Sequence, residues 1–192
     1  MPLYESVLKW MLRVMPPQAE WTRKRIFSFG DQRTADDNGK RSSIDGVNTA
    51  NKWFTTHGLA HISVNPNGKD GALKREITDP IDDLGQFDFV ANLGASSCVA
   101  NQEACFAAMH QLCRNGGMLL HVLPLKQSQI KGSLWYYDLQ FARLLAQANG
   151  YGILDQQCNL CVKDETLLCV AFRRLWDGKL KGIPAALVKA AA

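Results

Sequence analysis

Two hydrophobic periods alternate along this chain. Residues 25–30 (RIFSFG), 61–64, 73–77, 87–94 (FDFVANLG), 118–125 (MLLHVLPL), 153–160 and 166–173 are short apolar runs of strand length. Between them lie segments whose apolar residues recur every three or four positions. The stretch 87–125 shows the pattern most fully. FDFVANLG reads as a buried strand, and Ala104, Cys105, Ala108, Met109 and Leu112 form a helical stripe. Asn115-Gly116-Gly117 is expected to close that helix through a left-handed glycine, and MLLHVLPL is a second buried strand. Strand, amphipathic helix, strand is a right-handed βαβ unit of a parallel sheet covered on both faces. Ligands of such sheets bind beyond the carboxyl ends of the strands, here around residues 92–98 and 124–129.

The flanking segments extend the same scheme. Leu3, Tyr4, Val7, Leu8, Met11, Leu12 and Met15 share one helical stripe, which Pro16-Pro17 ends. The stripe is expected to pack on its own domain; a homodimer through this N-terminal helix is the alternative. Residues 44–57 read as a crossover helix, with Ile44, Val47, Trp53 and Phe54 apolar. Residues 135–149 read as another, with Leu139, Ala142, Leu145, Ala146 and Ala148 available for packing and Gly150 as the stop. The last two strands are joined by Lys163-Asp164-Glu165, so they are expected to be antiparallel. Residues 178–192 are small and basic and are expected to form a flexible tail. The sum is about seven strands alternating with helices: an α/β fold with a mostly parallel sheet, in a single domain spanning 1–192 whose residues 1–17 carry the N-terminal amphipathic helix.

Composition narrows the function classes. No apolar run reaches membrane-spanning length. The net charge of +4 is spread among acids, so a nucleic-acid partner is not indicated. The six cysteines fall inside predicted strands and helices and no export signal is read, so reduced thiols in a cytoplasmic protein are expected. Cys158 and Cys161 form a CxxC pair, but on a strand they point to opposite faces, and no second pair stands at ligand spacing; no metal is expected. Ser96-Ser97 lacks the following glycine of a nucleophile elbow. Arg23-Lys24-Arg25 reads as a solvated edge.

Several short motifs recur in a particular order. They are Asn67-Gly68-Lys69-Asp70-Gly71-Ala72-Leu73, Asn92-Leu93-Gly94, Asn101-Gln102, Gly116-Gly117, His121, Pro124, Tyr136 and Ala148-Asn149-Gly150-Tyr151. In these the chain resembles a divergent member of the class I S-adenosylmethionine-dependent methyltransferases, over roughly residues 25–173. The resemblance implies a Rossmann-like three-layer αβα sandwich, a seven-stranded mostly parallel sheet with a reversed final strand, and S-adenosylmethionine as cofactor. By position it implies cofactor contacts at Gly30, Asp31, Gln32, Asn65, Glu76, Asn92 and Gly94. The methyl acceptor, which the sequence does not identify, would meet Ser97, His121, Pro124 and Tyr136. For His121 a hydrogen-bonded core role is the competing reading. The chain departs from the family where Asn65 replaces the acid expected after the second strand, and where Gly30 stands alone in place of a glycine-rich loop. An inactive relative serving as a binding or assembly module is therefore the alternative function.

Overall fold

The computed structural model describes residues 2–30, 33–126, 128, 130, 132–162, 165–184 and 187–189. Seven strands form the central sheet: β1 (Arg25–Phe29), β2 (Ala60–Asn65), β3 (Leu73–Lys74), β4 (Phe87–Leu93), β5 (Cys113–Pro124), β6 (Gly152–Val162) and β7 (Glu165–Arg173). Their order is β3-β2-β1-β4-β5-β7-β6. The first five are mutually parallel, whereas β7 runs antiparallel to both β5 and β6. The reversed strand and the hairpin both match the expectation from sequence.

Alternation along the strands sorts the core into two layers. Phe27, Val90, Leu119 and Val170 face one side, where they meet α3 (Gln102–Leu112) and α4 (Phe141–Asn149). Ile26, Phe89, Leu120 and Ala171 face the other and pack against α1 (Glu5–Val14) and α2 (Ala50–Thr56). The stripe of α1 is buried at Val7, Leu8, Trp10 and Met11 within the same chain. Trp10 and Arg13 fix the helix to β6 by bonding the Asp155 carboxylate at 2.8–3.1 Å. Just before it, Leu3–Tyr4 pairs in parallel with Thr34–Ala35. No helix among the described residues is long and apolar enough to cross a membrane.

Four expected helix boundaries are corrected. The stripe read as helical from Leu3 is helical only from Glu5, Leu3–Tyr4 being extended. The segment 44–57 is helical only from Ala50. Ile44 and Val47 exchange backbone bonds around Asp45 (φ +51°) and Gly46 (φ +78°), a tight turn of the Asp-Gly kind. Helix α3 ends at Leu112 without a left-handed residue, since Cys113 is extended (φ −82°, ψ 121°). Gly116 and Gly117 lie inside β5 instead. The helix end is held by Arg174, a buried side chain that donates to the carbonyls of His110 (2.9 Å), which also accepts the Cys113 N–H, and of Cys113. In 135–149 only Phe141–Asn149 is helical. Trp135–Tyr137 is extended and pairs with Leu187–Lys189. The Asp138 carboxylate accepts from the Gln140 amide (2.7 Å), forming the turn that separates the two pieces. Leu139 is consequently exposed, and Gly150 ends α4 in the left-handed conformation as expected.

Within 178–192, the segment expected to be a flexible tail, Asn149 bonds the backbone of Lys181 (2.7 Å) and Gly182 (2.8 Å). Leu180 and Ile183 pack on the α3–α4 side of the core.

Candidate functional site

Adjacent strands β1 and β4 send their following helices to opposite faces, α2 to one and α3 to the other. Beyond their carboxyl ends lies the topological switch point, the place where sheets of this kind bind ligands. Gly30 stands there, directly after β1. It has φ +131°, and a Cβ there would stand 3.2 Å from Ala95 Cβ, so the turn after β4 can rest against it only while it is glycine. Asp31 and Gln32, the next two expected contacts, lie outside the described residues.

Asn65 sits at the end of β2. Its Nδ2 donates to the Gly30 carbonyl (3.1 Å), and its Oδ1 accepts from the Asn67 amide (3.0 Å). Both polar ends of the side chain are thus engaged, tying the carboxyl ends of β1 and β2 together. A carboxylate could not make the first bond, because the Gly30 carbonyl needs a donor. Glu76 follows two residues after β3, whose extent is shorter than the expected 73–77. Its side chain is exposed, its backbone N–H donates to Asp79 (2.8 Å), and the preceding Arg75 N–H donates to the Asn65 carbonyl (3.3 Å). Gly30, Asn65 and Glu76 therefore share one end of the sheet.

Beyond β4, Gly94 opens a 3-10 turn over Ala95–Cys98, and a buried polar chain begins at Asn92. The Ser96 backbone N–H donates to Asn92 Oδ1 (3.2 Å), which fixes the amide so that Nδ2 donates to Ser96 Oγ (2.7 Å) and to His121 Nδ1 (3.3 Å). His121 Nδ1 is therefore an acceptor. Full burial lowers the histidine from 6.5 to about 3, so it stays neutral. Tyr137 donates to Gln102 Oε1 (2.8 Å), which leaves Ser96 as donor to Tyr137 Oη (2.9 Å). Gln102 Nε2 ends the chain on the carbonyls of Ser96 and Val99, both at 2.7 Å. Every proton in this run has one direction. Burial also pushes the Tyr137 hydroxyl well above its usual range.

Ser97 donates to the Gly94 carbonyl (2.9 Å) and accepts from Ser133 (3.0 Å), while Leu134 N–H donates to the Ser97 carbonyl (2.8 Å). These bonds draw the segment before α4 over the β4 end. Tyr136 is half-buried and accepts from the Ile130 amide (3.2 Å). Pro124 is buried at the end of β5. Asn92, Ser97 and His121 are closed from solvent, with exposures of 0–1%. From the sequence Ser96 enters only as a rejected nucleophile, Gln102 only as part of the Asn101-Gln102 motif, Tyr137 only as a neighbour of Tyr136, and Ser133 not at all; none is read as part of a hydrogen-bond chain. Reading 135–149 as helix placed Tyr136 and Tyr137 on a helix start, where their opposite orientations on a strand could not be seen.

No family model matches the chain, and none of the curated proteins matches it. Solved structures do. The 1,6-didemethyltoxoflavin-N1-methyltransferase of Burkholderia thailandensis, with bound 1,6-didemethyltoxoflavin and S-adenosylhomocysteine, superposes with a TM-score of 0.55 at 14% identity, over 88% of this chain and 81% of its own. Magnesium protoporphyrin IX methyltransferase from Synechocystis, with bound SAM, gives 0.57 at 10% identity over 88% and 77%. A TehB-like SAM-dependent methyltransferase from Corynebacterium glutamicum gives 0.54 at 12% over 88% and 85%. The fold is that of the class I S-adenosylmethionine-dependent methyltransferases. At these identities the likeness is one of fold. Within this fold, Gly30, Asn65 and Gly94 stand at the carboxyl ends of β1, β2 and β4. Among the described residues no group of three or more His, Cys, Asp or Glu is placed to hold a metal ion. The CxxC pair falls on β6, where only the Cys161 side chain is described, and it is exposed.

Proposed function

We propose that the chain binds S-adenosylmethionine over the carboxyl ends of β1, β2 and β4 and transfers its methyl group to an acceptor approaching from the side of Ser97, Pro124 and Tyr136. The observation that carries this reading is the topological switch point between β1 and β4, whose following helices take opposite faces of the sheet. Solved structures of the same fold hold S-adenosylmethionine or its demethylated product. Asp31 and Gln32 join the proposed cofactor contacts by their place next to Gly30. Glu76, exposed after β3, is the acid placed for the adenine end of the cofactor. Methyl transfer from a sulfonium is a direct displacement, so the protein's work is alignment and exclusion of water. Asn92 and the fixed hydrogen-bond chain behind it would hold the β4 turn rigid. Neutral His121 is a poor base, and its role in the reading is to brace Asn92. A homodimer through α1 would have to use the outer face of Lys9, Leu12 and Arg13, because the apolar stripe is already buried.

One observation favours a second reading, a binding or assembly module without activity: Asn65 offers no carboxylate, and its amide is held by Gly30 and Asn67. Calorimetric titration with S-adenosylhomocysteine separates the two. Micromolar binding that weakens clearly in Glu76→Ala is the expected result. Absence of binding at millimolar ligand would leave only the second reading, and an unchanged affinity in Glu76→Ala would remove that residue from the site.

A further inference from the structure

The end of the sheet opposite the switch point holds a cleft of about 240 Å³. It lies between the amino ends of β1, β4 and β5 and the carboxyl end of β7, and it is independent of the methyl-transfer reading. Lys24 precedes β1, Asp88 is in β4, Arg114 in β5, and Arg173 ends β7; Glu20 reaches the rim from the connection after α1. Three cations thus face two carboxylates, and the bonding is uneven.

Asp88 is spent on positioning. Its Oδ2 accepts from the Arg25 backbone N–H (2.9 Å), and its Oδ1 takes both Arg114 Nε (2.8 Å) and Lys24 Nζ (3.3 Å). Partial burial pulls its carboxyl upward, yet these partners prevail and hold it below the usual range. One carboxylate therefore orients two cations and neutralises only one. Arg173 donates to the Gly116 carbonyl (3.2 Å) and makes no ion pair among the described residues. Glu20 is exposed and makes no ion pair among them. The result is a small pocket with surplus, pre-oriented N–H donors on two guanidinium groups, whose planar forks match phosphate oxygens. Its volume lies below the roughly 300–1,000 Å³ of pockets that engulf a drug-sized ligand.

We propose that this cleft binds the phosphate group of a small phosphomonoester. The test is calorimetry at low ionic strength with two probes, inorganic phosphate and glycerol 3-phosphate, on the full chain. Both should bind. Tighter binding of glycerol 3-phosphate assigns the cleft to an ester, and equal binding assigns it to the phosphate group alone. Arg173→Gln should weaken binding by about tenfold, the loss of one charge-assisted contact. Lys24→Gln should act in the same direction, and Glu20→Gln should strengthen binding about twofold by removing a like charge. Melting curves matching the unmodified protein check that each variant folds. Absence of heat with both probes, or an Arg173→Gln protein that binds as well as the unmodified one, would overturn the proposal.

Discussion

Tyr136 and Tyr137 are adjacent in sequence and opposite in environment. The Tyr137 hydroxyl is buried between Ser96 and Gln102, as donor to one and acceptor from the other. Tyr137→Phe leaves both partners short of a bond in a closed interior and should cost about 1–3 kcal/mol of stability. Tyr136→Phe removes only the acceptor for the Ile130 amide, in a half-buried place, and should cost about 1 kcal/mol or less. Urea denaturation of the two variants checks the ranking; equal costs would mean that the polar chain contributes nothing specific. At this scale the sequence is legible in part. Glycine at position 30 and asparagine at 92 can be picked out because they end apolar runs. Tyr137 cannot, because its partners lie 35 and 41 residues away and depend on an extended backbone at 135–137. Asn65 shows the same limit. As a residue type it suggests a weakened ligand, and only the fold reveals that it staples two strand ends.

Strands were the most legible elements, since a run of four to eight apolar residues between turn signals has few other uses in an α/β chain. Helix ends were less so, for two distinct reasons. Asp45-Gly46 is a local turn signal that a plausible apolar period at Ile44, Val47, Trp53 and Phe54 concealed. The end of α3 is set from far away, by Arg174, whose guanidinium also bonds the Trp176 carbonyl (2.9 Å) and the Gly178 carbonyl (3.3 Å). No inspection of residues 102–117 could supply that donor. Arg174→Met should therefore destabilise the protein by about 3 kcal/mol, as several buried carbonyls lose their partner. Amide hydrogen exchange should quicken first in the last turn of α3. Uniform quickening across the sheet, with α3 spared, would show that the arginine has some other role.

For the molecule as a whole, acid is the informative stress. His121 is lowered to about 3 and His61 to about 4, both by burial, and His110 is lowered by burial and by Arg174 in spite of its bond to the Gly178 carbonyl. Each is held neutral in the fold but binds a proton at the ordinary 6.5 once unfolded. The unfolded chain thus takes up more protons below that value. The stability that these groups contribute is complete above about pH 6.5 and drains away as the pH falls toward 4 and 3. Melting temperature should drop across that window, and less steeply in His121→Gln; identical slopes would exclude His121 as a source. The sheet order has a consequence for synthesis. The last strand of the central sheet to be made, β7, lies inside it between β5 and β6. While the ribosome is still translating residues beyond 162, β5 offers a bare hydrogen-bonding edge and β6 has no sheet neighbour. A polypeptide that stops before residue 165 would put a long apolar edge on display, the kind of template on which chains aggregate.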